Sequence, residues 1–537
     1  MVIVPSFFNC STAGLIQLRR DSQNAVELSG AFRYHNGKNR HYSYQILDRK
    51  GIDVKSSKSK KNWEMSRRDF LQTMGTTAAG ISLSYNQVLG TASLTQADSR
   101  QKAAAIVRGA FIYPPTESLR KIGYYSWPGS TFDAEGTQKR YAGRIKRIER
   151  NLGMRISMND KPLDDEAGVT RFINEVKQSR PDGLLLIPFK KGHWKRVTRI
   201  IEETAIPTVV LATLGVLLVD HINQLHRKPG VYMISSLDNL DAVEYGMKMI
   251  RTARWMKNSL IVNITGPEVK ETTVPVIGTH VRTIPHERFY EQFRRTEVTD
   301  AVKKLADAYL KNAKEVVEPS RDDILEAAKT YFVLKRIVET EKADAVMMNC
   351  LPGLKRPHKH VPPCMGFMSL RDEGIPAGCQ SDLNATLTLM LVQQLFDRPG
   401  FQQNASMDTE KNLYFGAHCT SASMMNGPNT PPEPYILRNH AEAGWGCVPR
   451  VLFAAGQEVT MAEYFSAEKP QMLIYSGKVV DCPPIPPTGG CRTNIRMTIN
   501  EADDVCDVKG MHQIIFYGNY AKQLQAFCQL YGIKAAT

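Results

Sequence analysis

Several signatures are absent from this chain of 537 residues, and each absence removes a class of function. No CxxC pair occurs, so zinc-ribbon and thioredoxin chemistry drop out. There is no Walker A loop, no nucleophile elbow and no full GxGxxG. Long apolar runs are missing as well. The longest, Val209 to Val219, is too short to span a bilayer and reads as a buried strand or helix, so no membrane insertion is expected. Cysteine is nearly absent from the first two thirds: Cys10 stands alone, and the other nine all follow residue 349. Most of these read as small buried apolar residues. Cys482 and Cys491 flank a loop rich in Pro and Gly that an oxidising compartment would allow to close as a disulfide.

Basic charge, by contrast, is plentiful. The net charge of +15 invites a nucleic-acid reading, but its distribution argues against one. Residues 1–64 carry a disproportionate share, including the low-complexity run Lys55-Ser56-Ser57-Lys58-Ser59-Lys60-Lys61. The remainder is mildly basic and holds no nucleic-acid motif, so no nucleic-acid partner is expected. Met65-Ser66-Arg67-Arg68-Asp69-Phe70-Leu71 is followed by a mild apolar stretch from Met74 to Leu83, then by small residues at Thr95-Gln96-Ala97. This order resembles a bacterial twin-arginine export signal. It implies an exported, periplasmic protein, with a basic surface helix in a cytoplasmic protein as the alternative. Residues 65–97 would be the signal, translation would start at Met65, and residues 1–64 would be disordered or not translated.

From about residue 106, short apolar strands alternate with amphipathic helices, which predicts parallel sheets covered by helices. Strands are expected at Leu184–Pro188, Val231–Ser235, Leu260–Ile264 and Ala345–Cys350, and helices at Arg140–Leu152, Trp194–Thr204 and Asp241–Met256. Residues 298–340 read as almost continuously helical, broken near Pro319-Ser320, with Ser320 as the cap of the second helix. Beyond residue 440 the pattern changes to antiparallel strands, Val451 to Val459, Met472 to Val480, Arg492 to Ile499 and Gln513 to Tyr517, closed by a helix from Ala521 to Tyr531. The expected class is α/β: two Rossmann-like parallel units, 98–230 and 231–344, then a C-terminal α+β unit, 345–537, with a β-barrel.

Chemistry concentrates in that last unit. In Gly378-Cys379-Gln380-Ser381-Asp382 a carboxylate immediately precedes an apolar helical run, where helix N-terminal N–H groups favour negative charge. Asp382 is therefore either a helix cap or a metal ligand. His418 follows the strand-like Tyr414-Phe415-Gly416-Ala417, and His512 precedes Gln513-Ile514-Ile515-Phe516-Tyr517. Carboxylate and imidazole together suit Mn²⁺, Co²⁺ or Zn²⁺. Trp127 and Trp445 offer sugar-stacking surfaces, or plain core packing.

Three segments resemble the L-fucose isomerase and L-arabinose isomerase family. They are Asp372-Glu373-Gly374-Ile375-Pro376 running to Asp382, Arg438-Asn439-His440 with Gly456-Gln457-Glu458-Val459-Thr460, and Met511-His512-Gln513 with Tyr517-Gly518-Asn519-Tyr520. The resemblance covers roughly residues 106–537 and is clearest from 345 onward. It implies aldose–ketose isomerisation of a small monosaccharide through an enediol, a divalent metal, usually Mn²⁺, and a homo-oligomer, trimer or hexamer. Carried over, Asp382 is metal ligand and candidate catalytic base, His512 is a ligand, and His418 is a ligand or a sugar contact. Gln380, Cys364 and His440 are candidate substrate contacts, with Gln380 standing where the family has Glu. The family's other metal-binding Glu has no counterpart, because Leu351 to Leu370 contains no carboxylate. Cys364, His358 and His360 occupy that neighbourhood, and Cys364 or His360 would suit a softer metal. The alternative is a catalytically inactive, exported carbohydrate-binding protein on the same scaffold.

Overall fold

The structure is a computed structural model that describes residues 104–122, 129, 131–214, 216–237, 239–355, 357–484 and 490–537, together with three strands nearer the N-terminus. It divides into two units, Met1–Gln72 and Thr73–Thr537. In the first, Ile16–Arg20, Val26–Arg33 and Asn39–Gln45 form an antiparallel sheet. These strands fall inside the stretch expected to be disordered or untranslated. Val26-Glu27-Leu28-Ser29 alternates apolar and polar residues, which is the period of a strand. The twin-arginine segment, Cys10 and Trp127 lie outside the described residues.

The second unit is mixed α/β, with a parallel five-stranded sheet and antiparallel sheets. Its first strands are β1 Ile106–Ile112, β2 Arg155–Met158, β3 Gly183–Pro188, β4 Thr208–Thr213 and β5 Val231–Ser236. They pair in the order β2-β1-β3-β4-β5, all parallel. Side-chain alternation assigns the faces. Ala110, Ile112, Leu184 and Leu186 pack under helices Glu166–Ser179 and Trp194–Thr204. Val107, Phe111, Leu185 and Ile187 pack under Ala134–Leu152 and Asp241–Lys257. With both faces covered, β3 is buried throughout and therefore reads as an unbroken apolar run. Each fully buried Leu or Ile there contributes about 1.5–3 kcal/mol. The run from Val209 to Val219 is not one element. β4 ends at Thr213, where its pairing with β5 ends, and Val219 begins the short helix Val219–His226 with its side chain exposed.

Next come β6 Leu260–Ile264, β7 Lys270–Thr273, β8 His280–Ile284, β9 Ala313–Val316, β10 Ala345–Met348 and β11 Ala377–Cys379. All but β9 form a second sheet in the order β7-β8-β6-β10-β11, parallel except for the hairpin partner β7. β9 interrupts the expected helical stretch, leaving Asp300–Asn312 and Arg321–Glu341 as separate helices. Its pairing with a strand more than a hundred residues later overrides local helix propensity. Ser320 caps the second helix in a reciprocal box with Asp323, as the sequence suggests.

The last strands are β12 Phe401–Gln402, β13 Asn404–Asp408, β14 Leu413–His418, β15 Tyr435–Arg438, β16 Val448–Val451, β17 Glu458–Phe465, β18 Gln471–Asp481, β19 Thr493–Met497, β20 Ile514–Tyr517 and β21 Lys534–Ala536. Strands β9, β15 and β16 make a small sheet. The largest sheet runs β12-β20-β17-β18-β19-β14-β13, antiparallel throughout, with β21 added parallel to β18. β12 and β13 are separated by Gln403 alone, so the two ends of this path meet. The segment from Val451 to Val459, expected as one strand, is divided between β16 and β17 by a turn whose Gly456 has φ 80. No described helix is long and apolar enough to cross a membrane.

Candidate functional site

β11, at the edge of the parallel sheet, ends at Cys379 and passes into helix Leu383–Phe396 through a three-residue turn. Gln380 and Ser381 in that turn are both left-handed, at φ 57 and 54. A left-handed non-Gly residue costs roughly 1–2 kcal/mol, so the turn is held by its surroundings. Part of that hold is Gln402, whose side chain accepts from Cys379 N at 2.8 Å and donates to Cys379 O at 3.2 Å. The turn places Asp382 at the helix N-cap, where Oδ1 accepts from Ala385 N at 2.8 Å.

The other carboxylate oxygen meets His512, 130 residues further along the chain. His512 Nδ1 donates to Asp382 Oδ2 at 2.6 Å, and Nε2 donates to Asn404 Oδ1 at 2.5 Å. Burial works to raise the Asp382 carboxyl, but the His512 bond and the Ala385 amide outweigh it and hold the group below its ordinary value. The same bond lifts His512 above the ordinary imidazole value against the opposing effect of burial. Each partner thus favours the charged form of the other.

A second carboxylate stands beside them. Glu463 of β17 is buried, its Oε2 accepts from Met511 N at 3.2 Å, and it interacts electrostatically with Asp382 and His512. Burial drives its proton affinity up. Two neighbouring carboxyls pushed in opposite directions are the usual arrangement for a base and an acid in one site.

Behind the turn lies a buried cluster of sulfur and imidazole. Cys379 interacts with the Cys350 and Cys419 thiols and with His418, and Cys419 also interacts with Cys364. These contacts, that to Cys350 foremost, hold the Cys379 thiol below its ordinary value, while Cys350 and Cys419 are driven up. His418 Nδ1 lies 3.4 Å from Cys419 Sγ, and its ring is 5.8 Å from that of His512. His440 joins from the loop after β15, with Nδ1 accepting from Ala443 N at 3.2 Å.

The sequence-derived candidates therefore fall into two adjoining groups. Asp382 and His512 meet directly. His418, Cys364 and His440 belong to the thiol–imidazole cluster. Gln380 forms the turn between the two. His360 lies elsewhere, packed 5.0 Å from Phe289 and 5.5 Å from Tyr290, and burial lowers its pKa to about 4. His358 rests 4.2 Å from the Trp445 ring. Cys482 and Cys491 are free thiols, and Cys482 Sγ is occupied as an acceptor for Phe453 N. Glu463 and Asn404 escaped the sequence reading. Glu463 had a signal, the lone charged residue inside the largely apolar Val459–Phe465. Asn404 had none.

The donor set at Asp382 does not match a hard ion of the Mn²⁺ type in this arrangement. Both His512 nitrogens are donating, which leaves no lone pair for a metal. One Asp382 oxygen caps the helix and the other is held by His512. Groups of three metal-binding side chains that converge within 4.8 Å do occur among the described residues, but they are Cys364–Cys419–His440 and Cys379–His418–Cys419.

No family model matches the chain, and no curated protein does. Among solved structures it is similar to the 5-methylthioribose transporter solute-binding protein from Thermotoga lettingae, in complex with 5-methylthioribose. The identity is 12%, with 54% of this chain and 73% of that chain covered and a TM-score of 0.15. A likeness at that level carries no argument about either fold or function.

Proposed function

We propose that this chain is a sugar-isomerase-like protein that interconverts an aldose and a ketose of a small monosaccharide through an enediol. The observation that carries the reading is the Asp382–His512 contact, which joins the two most specific segments of the sequence resemblance at 2.6 Å. Asp382, ionised, takes the carbon-bound proton. The imidazolium of His512 stabilises the negative charge that develops on the neighbouring sugar oxygen. Glu463 supplies the second acid–base group that the carboxylate-free stretch Leu351 to Leu370 lacks. The divalent metal implied by the resemblance does not fit the hydrogen-bonded pair, so the reaction is stated through the chain's own side chains. The same resemblance supports the Rossmann-like and barrel architecture, a symmetric homo-oligomer and, with the segment from Met65, export.

One observation favours the second reading, a carbohydrate-binding protein without turnover: His512 is fixed between two oxygens and is not free to relay a proton. Deuterium exchange separates the two. Each of a panel of aldoses is incubated with the protein in D₂O, with and without Mn²⁺, and followed by NMR. Label entering at C1 or C2 establishes the isomerase reading. Sugar binding by calorimetry with no label entering establishes the binding protein. For an active enzyme, Glu463→Gln should lower kcat by about 10²–10⁴-fold with little change in sugar affinity, the loss expected for one proton-transfer group.

A further inference from the structure

We propose that Cys379, Cys419 and His418 form a buried binding site for a closed-shell thiophilic ion, Zn²⁺ or Cu⁺. The site is distinct from the Asp382–His512 pair and does not depend on the sugar reading, because its donors are thiols and imidazole alone.

The geometry is that of a coordination shell. The three donor atoms lie within 4.8 Å of one another. In a tetrahedral zinc site, Zn–S of about 2.3 Å and Zn–N of about 2.0–2.1 Å put neighbouring sulfur and nitrogen ligands about 3.5 Å apart. His418 Nδ1 and Cys419 Sγ are 3.4 Å apart. Two of the ligands end strands, Cys379 closing β11 and His418 closing β14, and Cys419 follows β14 directly. Rigid elements from two sheets therefore set the spacing.

Burial supplies the second argument. Cys379 and His418 are 0% exposed and Cys419 is 6% exposed. His418 Nε2 and His440 Nε2 are enclosed yet have no hydrogen-bond partner. The three converging donors are thus shut off from solvent, as the ligands of a structural ion are.

Donor chemistry names the ion class. Neither converging group contains a carboxylate, which excludes the hard cations Mg²⁺, Ca²⁺ and Mn²⁺ as natural occupants. Cys364, whose sulfur converges with that of Cys419 in the second group, is a further thiol available for a fourth position. His440 is not a ligand, because the lone pair of its Nδ1 is taken by Ala443 N–H and the proton therefore sits on Nε2. Loading releases the thiol protons and, in so enclosed a site, occurs during folding.

The full chain is produced separately in zinc- and copper-supplemented medium, and its metal content is measured by elemental mass spectrometry. About one zinc or copper ion per chain is expected, lost in Cys419→Ser and retained in Cys528→Ser, a buried thiol on the closing helix. Should Cys419→Ser fail to fold, wild-type protein refolded with Co²⁺ provides the second measurement. A thiolate-to-cobalt charge-transfer band saturating near one equivalent supports the site. The proposal is overturned if wild-type protein from both media carries no metal and refolding with Co²⁺ gives no such band. It is equally overturned if peptide mapping finds Cys379 joined to Cys419 as a disulfide, or if Cys419→Ser keeps its full metal content.

Discussion

Asp382 does two things that substitution can separate. Asp382→Asn keeps an oxygen for the Ala385 amide but removes the charge that faces His512. Asp382→Ala removes both. A lost cap costs about 1 kcal/mol and a lost charge-assisted bond about 1.5–3 kcal/mol. Urea denaturation should therefore rank the variants: Asn less stable than wild type, Ala lower still, on the order of 2–4 kcal/mol in all. Equal stabilities for the two would mean the His512 bond contributes nothing. The pair also predicts a pH window. Asp382 is depressed from 3.8, so its contribution is present above that pH and is lost as the pH falls through the folded-state value. His512 is raised from 6.5, so its contribution is complete below that pH and is lost as the pH rises through its folded-state value. The stability difference between wild type and His512→Gln should peak between these limits and shrink on both sides. A difference that does not vary from pH 3 to 9 contradicts the ion pair. At this scale the sequence displayed Asp382 and His512 plainly, because each adjoins an apolar element with an evident boundary. Their partners Asn404 and Glu463 come from other strands, and contact between them is set by packing.

The turn after β11 is the element on which the site depends, and Gly378 sets how close the helix can come. A Cβ on Gly378 would lie 1.9 Å from Thr386 Oγ1, in the first turn of the helix that Asp382 caps. Thr386 Oγ1 in turn donates to Asp382 O at 2.6 Å. Gly378→Ala should therefore push the helix start off the strand, destabilise by about 1–3 kcal/mol and disturb Asp382. Gly143 is the contrasting case. It lies exposed within helix Ala134–Leu152, with nothing within 4 Å of an added Cβ. Gly143→Ala should stabilise by about 0.5–1 kcal/mol. Thermal denaturation of the two variants should shift in opposite directions, and a matched shift would show that the close approach at Gly378 is not limiting. Elements with a clean period, such as β3 and helix Trp194–Thr204, were legible because local pattern and burial agree. β9 was not, because its four residues carry no strand signal beyond their distant partner in β15.

Across the second unit, the closing helix Ala521–Tyr531 links the first parallel sheet to the large antiparallel sheet. Gly230 N donates to Gln529 O at 2.9 Å, Gln529 Nε2 donates to Val231 O at 2.7 Å, and Tyr245 OH donates to Gln523 O at 2.7 Å. On its other side the helix buries Leu524 and Phe527 in a core shared with Tyr464, Met472 and Phe516 of that sheet. Phe527→Ala should cost about 3–5 kcal/mol. Because one core serves both sheets, circular dichroism and tryptophan fluorescence should report the same lowered midpoint. Two separate transitions would mean that the sheets are energetically independent.

The sequence by itself determined which segments are helix or strand wherever periodicity was strong, the parallel character of the first sheets, and the residue types available for chemistry. Those properties are local: they follow from side-chain alternation, capping and turn residues within a few positions. Only the tertiary structure decided which of those residues meet. It joined Asp382 to His512, drew Glu463 into the same site, and brought Cys379 against the neighbouring pair His418 and Cys419. Such contacts depend on how two sheets dock and where their strands stop. No spacing along the chain encodes that, because the docking is set by the combined packing of many apolar side chains.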